Sequence, residues 1–214
     1  MTEQPKTAID LMTRGPVIPV VVIERAADAI PLAWALLAGG IDTMEITLHT
    51  SEALDAITAV AEQVPDMAVG AGTIVRDDQA RQAVHAGAGF LVSPGCTPQL
   101  LEALLDQAVP ILPGAATASE AMALLEYGIT EMKFFPAAAA GGTQALRALA
   151  GPLPEATFCP TGGIDRAAAD DYLALPNVAC VGGSWLAPNH LMASQNWDAI
   201  AARAADAKGA ARRG

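Results

Sequence analysis

The sequence predicts an α/β protein, a single (β/α)8 TIM barrel entered through a short N-terminal helix, with residues 1–214 forming one domain. Three observations predict it. Apolar, β-branched runs alternate with helical stretches, successive strand starts lying roughly 23 residues apart, the length of one strand, loop, helix and loop. Chemically distinctive residues recur just past the strands: Glu45, Gly72-Thr73, Ser93-Pro94-Gly95, Pro113-Gly114, Lys133, Thr161-Gly162-Gly163 and Gly182-Gly183-Ser184. A barrel gathers such positions on one face, where its sites lie. Finally, a chain of 214 residues with 52% hydrophobic and 16% charged residues suits a single large core. An open doubly wound sheet is the alternative.

The elements follow in order. A first helix is expected over Thr7 to Thr13, and the run Val17 to Ile23, opened by Pro16, reads as a buried strand. A helix from about Ala26 to Leu37 ends at Gly39-Gly40, as C-caps commonly do. Further strands are expected to begin near Asp42, Ala68, Phe90, Pro110, Glu131, Ala156 and Asn177. Thr50, Thr97, Thr117 and Asp165 are candidate N-caps for the helices after them. The tail Ala207 to Gly214 is expected to fray.

The formal net charge of -11 argues against nucleic acid or an anionic membrane surface as partner, since both require clustered positive charge. No apolar run approaches the ~20 residues of a membrane span, and Met1 to Asp10 lacks the apolar segment of a signal peptide, so a cytoplasmic protein is expected. Cys96, Cys159 and Cys180 are too scattered for a disulfide framework and read as reduced thiols. His49, His85 and His190 show no metal-ligand spacing, and no dinucleotide fingerprint is present, so no metal or other cofactor is expected.

Lys133 stands out as the only lysine in the body of the chain, the others being Lys6 and Lys208. Its neighbours Met132, Phe134 and Phe135 make a strand that rarely holds a charge, because a buried unpaired ammonium is strongly disfavoured. One reading is a structural ion pair; the other is an amine kept neutral by burial, able to form a Schiff base with a carbonyl. In the second predicted strand Met44, Ile46 and Leu48 alternate with Glu45 and Thr47, so the carboxylate should face the interior, where it can meet Lys133 and move protons. The turns Pro160-Thr-Gly-Gly-Ile164 and Val181-Gly-Gly-Ser-Trp185 follow the last two predicted strands. Barrels commonly hold phosphate there through backbone N–H groups, and Thr161 and Ser184 add hydroxyl donors. Thr73 reads either as a hydroxyl beside the site or as a helix N-cap.

The motifs GPVIPVVV, AGGIDTMEITLHT, VGAGTI, VSPG, KFFPA, FCPTGGI and GGSWL, in order from Gly15 to Leu186, resemble those of the 2-dehydro-3-deoxy-6-phosphogluconate (KDPG) aldolases. The resemblance implies a metal-independent class I aldolase of the Entner–Doudoroff pathway. It would cleave KDPG reversibly to pyruvate and glyceraldehyde 3-phosphate, often also act on 4-hydroxy-2-oxoglutarate, and assemble as a homotrimer. Carried over by position, Lys133 becomes the Schiff-base lysine and Glu45 the general acid/base. Thr73 helps hold the pyruvate carboxylate and Phe135 lines the pyruvate pocket. Thr161, Gly162, Gly163 and Ser184 contact the distal hydroxyls and phosphate. Competing expectations are another phosphosugar enzyme, an isomerase or epimerase, and a non-catalytic phosphosugar-binding protein.

One departure is plain. Where the family's Leu-Arg-Thr sets an arginine against the pyruvate carboxylate, this chain has Leu48-His49-Thr50, replacing a permanently charged fork by a side chain with at most two donors. Related galactonate-type aldolases carry an arginine on the first strand, where Val20, Val21 and Val22 stand here; Arg25 beyond that strand is the other candidate anchor. Weaker pyruvate binding is expected, worsening as the histidine loses its proton.

Overall fold

A computed structural model describes residues 4–209. Thr7 caps the first helix, α1 (Ala8–Thr13), its hydroxyl accepting from the Asp10 N–H while the Asp10 carboxylate accepts from the Thr7 N–H. Strand β1 (Val17–Val21) leads through a 3-10 turn (Ala26–Asp28) into α2 (Ala29–Ala38). Then follow β2 (Thr43–Thr47), α3 (Ala53–Gln63), β3 (Ala68–Gly72), α4 (Asp77–His85), β4 (Leu91–Val92) and α5 (Pro98–Leu105). Two short strands come next, β5 (Ile111–Leu112) and β6 (Gly114–Ala115), before α6 (Ala118–Glu126), β7 (Glu131–Phe134) and α7 (Gly142–Ala150). The chain closes with β8 (Thr157–Pro160), α8 (Arg166–Leu173), β9 (Val181–Gly183), α9 (Asn189–Ala193) and α10 (Trp197–Lys208).

All strand pairings are parallel, but they do not form the closed (β/α)8 barrel that the repeat predicts. They form a six-stranded half-barrel, ordered β5-β4-β3-β2-β1-β9, and a separate three-stranded sheet, β6-β7-β8. The ladder breaks at two seams. The predicted fifth strand is split at Pro113, leaving β5 paired to β4 and β6 paired to β7. A proline has no N–H to give a ladder, which is a physical reason for a break at this position. At the other seam no ladder joins β8 to β9; only isolated bridges hold their segments together, Phe158 to Val178 before β9 and Thr161, just past β8, to Gly182. The doubly wound alternative also fails, because the order runs on from β5 to β1 without the reversal that fold has.

Two apolar layers follow from strand alternation. Met44, Ile46, Met132 and Phe134 point outward and pack with the helices, Phe134 meeting Phe158 edge-on at 5.9 Å between ring centroids. Ile18, Phe90, Val92, Leu112, Cys159 and Cys180 form an inner cluster, joined by Leu11 and Met12 of α1. The N-terminal helix therefore plugs the amino-end of the strands and leaves their carboxyl ends for chemistry.

Local expectations were met at Thr97, Thr117 and Asp165, each of which caps its helix through the side chain. Thr50 does not: its hydroxyl donates to the Ile23 carbonyl at 2.6 Å, and α3 starts after Glu52. The last strand begins at Val181, later than the Asn177 start expected; the Asn177 to Ala179 stretch meets β8 only through the isolated Phe158–Val178 bridge. Of the tail expected to fray, Ala207 is buried within α10; residues 210–214 lie outside the described residues. No helix among the described residues is long and apolar enough to cross a membrane.

Candidate active site

Lys133 and Glu45 lie on different sheets, and their side chains meet between them. In β2 every residue is buried, and alternation turns Glu45 inward while Met44 and Ile46 face the helices. In β7 Lys133 is likewise opposite in direction to Met132 and Phe134. The Lys133 Nζ donates to Glu45 Oε1 at 3.1 Å, with the two side chains only 5% and 4% exposed. The other ion pairs among the described residues are more exposed on at least one side. The apolar surroundings expected for the amine need correcting, because Met132 and Phe134 belong to the outer layer; what faces Nζ is the Glu45 carboxylate and the Phe135 ring, 5.5 Å from its centroid. The pair leaves a proton donor and a proton acceptor in direct contact within a buried site.

The neighbours of the pair are small because the space is taken. Thr47 and Glu45 pair in register with Gly72 and Gly70 of β3. A Cβ on Gly72 would collide with the Glu45 carboxylate, so Gly72 is the residue that lets the carboxylate lie across β3. Gly114 of β6 stands beside Lys133, its N–H donating to the buried Ser93 hydroxyl at 3.3 Å. Gly72 and Gly114 are legible only as strand-end glycines in the sequence, which does not reveal what they make room for.

Thr73 follows directly, held at φ 60° in the left-handed region that threonine seldom adopts. It is not an N-cap: α4 begins after Arg76, where the Gln79 side chain accepts from the Val75 and Arg76 N–H groups. A strained non-glycine residue at a strand end beside an ion pair is a mark of a working site.

The two glycine-rich turns are brought together. Thr161 bridges to Gly182, and its hydroxyl fills the space that a Cβ on Gly182 would need. Gly162 and Gly163 have φ of 99° and 74°, and a Cβ on Gly162 would come within 3.1 Å of the Phe135 ring. The turn thus joins the Lys133 surroundings through Phe135. Ser184 is exposed just past β9. The helix N-termini after these turns add little: the α8 start is occupied by the Asp165 carboxylate, accepting from the Ala168 N–H at 2.9 Å, and α9 is a five-residue helix beginning at Asn189.

His49 sits on the turn after β2, its side chain exposed, with Nδ1 3.4 Å from the Thr47 hydroxyl. Arg25 does not serve as a free anchor: it makes a two-point pair with Asp28 at 2.9 and 2.8 Å, and Gln195 adds a third bond to that carboxylate. Arg25 and Asp28 border a cavity of about 290 Å³ that Val22, Glu24, Asn189, Met192 and Ala193 also line. Cys96 is no competing nucleophile, since burial pushes its thiol up to about 11.

Residues 8–203 match the profile of the family described as "KDPG and KHG aldolase". The chain belongs to that family. Among aldolases of the KDPG and KHG family, it is 47% identical over 201 residues to the KHG/KDPG aldolase of Escherichia coli K12, covering 94% of each chain. It is 48% identical over 201 residues, again 94% of each chain, to the 2-dehydro-3-deoxy-phosphogluconate aldolase of Dickeya dadantii. Among solved structures it superposes with TM-score 0.93 on the KDPG aldolase of Legionella pneumophila, at 44% identity over 95% of this chain and 98% of that one. That enzyme was captured with pyruvate as a covalent carbinolamine intermediate. A KDPG aldolase of Zymomonas mobilis with 3-phosphoglycerate gives TM-score 0.89 at 43% identity, covering 96% of this chain and 97% of that one.

Proposed function

We propose that this aldolase cleaves 2-dehydro-3-deoxy-6-phosphogluconate reversibly to pyruvate and glyceraldehyde 3-phosphate by a class I mechanism, as a single catalytic domain, with 4-hydroxy-2-oxoglutarate as a second substrate. The observation that carries the reading is the buried Lys133–Glu45 pair, 3.1 Å apart. The names of the relatives and the carbinolamine captured in the Legionella enzyme support it.

In this reading Glu45 takes the Lys133 proton and the neutral amine attacks the C2 ketone, giving a carbinolamine. Loss of water, its oxygen protonated by Glu45, leaves an iminium at C2. The Glu45 carboxylate then accepts the C4 hydroxyl proton, the C3–C4 bond breaks, and its electron pair passes to the iminium as an enamine while the aldehyde departs. Glu45 returns that proton to C3, and water reverses the first steps to free pyruvate and Lys133. Phe135 lines the pyruvate pocket, and Thr73 and His49 hold the pyruvate carboxylate. Thr161, Gly162, Gly163 and Ser184 hold the distal hydroxyls and phosphate through backbone N–H and hydroxyl donors. No metal or other cofactor takes part. The working form is a homotrimer in the cytoplasm, serving the Entner–Doudoroff pathway.

The test is pyruvate release from the phosphorylated substrate, followed through a coupled dehydrogenase with and without chelator. Stoichiometric pyruvate, unaffected by chelator, is expected. An isomerase, an epimerase or a binding protein releases none.

A further inference from the structure

Thr47 is buried, and its hydroxyl has two neighbours: the Val21 carbonyl at 3.1 Å and His49 Nδ1 at 3.4 Å. A hydroxyl has one proton, and a carbonyl can only accept. The shorter contact therefore takes that proton, leaving only oxygen lone pairs for the histidine. His49 must then be the donor, through Nδ1–H. We infer that Thr47 is a positioning residue that fixes the tautomer of His49, so that the neutral ring offers only a lone pair at Nε2 and the ring donates from Nε2 only as the imidazolium. This rests on the reading that His49 holds the substrate carboxylate. A carboxylate accepts and cannot donate. It is therefore gripped at Nε2 by the protonated ring and refused by the neutral one, a proton gate that an arginine would not have.

The charged groups on the segments beside His49 are mostly engaged already. Glu45 is paired with Lys133, the Glu52 carboxylate accepts from the Ala26 N–H, Arg25 is bound to Asp28 and Arg76 to Asp78, while Glu24 is exposed. Thr47 is thus the specific contact that sets which nitrogen of His49 carries the proton.

Nitrogen-15 NMR of the whole enzyme, labelled at histidine, reads the tautomer directly. With only His49, His85 and His190 in the chain, a His49→Gln variant assigns the signal. Above the histidine titration, the wild type should show His49 as Nδ1–H, Thr47→Ser should keep it, and Thr47→Val should move it to the Nε2–H form preferred in free solution. An Nε2–H signal in the wild type, or an Nδ1–H signal that survives Thr47→Val, overturns the assignment. In the condensation direction, the part of the pyruvate KM profile absent from His49→Gln should rise by up to about tenfold per pH unit and flatten in Thr47→Val. If the tautomer pattern holds while the wild-type and His49→Gln profiles coincide, the gate is overturned. Failure of the aldolase reading shows separately, as absence of pyruvate turnover.

Discussion

Replacing Lys133 by Met removes the amine but keeps most of the side-chain volume, and the structure sets what this should cost. Glu45 is left 3% exposed, without its partner and between two sheets that the pair had joined. A stranded buried carboxylate either stays charged, at the 3–5 kcal/mol typical of broken buried pairs, or takes up a proton. Protonating a carboxyl of ordinary acidity (~4.3) at pH 7 costs about 3.7 kcal/mol, which sets the ceiling for the second route. The variant should therefore be destabilised by about 3–4 kcal/mol at pH 7, lowering Tm by roughly 6–16 °C for a chain of this size. The sign of the pH dependence follows. A carboxyl neutralised in the folded state binds more protons folded than unfolded, so stability is lost as pH rises above the unfolded value. The deficit should accordingly shrink to about 1 kcal/mol at pH 5. Urea unfolding at several pH values measures it, and the Lys133→Met, Glu45→Gln double variant should recover most of the loss. A deficit under about 1 kcal/mol at pH 7, or additive single effects, would refute the buried pair.

Two further outcomes follow from the same geometry. Gly72→Ala drives a methyl group into the Glu45 carboxylate and should lower kcat by about 10²-fold and slow adduct formation with pyruvate; unchanged kcat would mean that Glu45 moves no protons in the slow step. His49→Arg restores a fixed charge and a two-point donor, and pyruvate KM in the condensation direction should fall about tenfold and lose its pH dependence; an unchanged KM places the carboxylate elsewhere.

What was legible in the sequence depended on how local the cause was. Capping at Thr97, Thr117 and Asp165 is decided by a few neighbouring residues, and it was read correctly. The inward direction of Glu45 and Lys133 followed from strand alternation, a period of two that survives any later change in the sheet. Closure did not follow, because it depends on hydrogen bonds between residues far apart in the chain. Pro113 is a local reason for a break, but it sits within a strand-like run and does not say which neighbour each half pairs with, and the weak seam between β8 and β9 has no local signature. Thr50 looked like a cap but was drawn off by the Ile23 carbonyl, 27 residues away. At the site, the glycines were visible but not their purpose. That Gly72 clears Glu45, and Gly182 the Thr161 hydroxyl, is a matter of contact across strands.

The central claim is that Lys133 is the amine that bonds to substrate, and trapping tests it most directly. Incubation with pyruvate and borohydride, then digestion and mass spectrometry, should find one reduced adduct, on Lys133, and none in Lys133→Met. No adduct in the native enzyme, or an adduct on Lys6 or Lys208 instead, would contradict it.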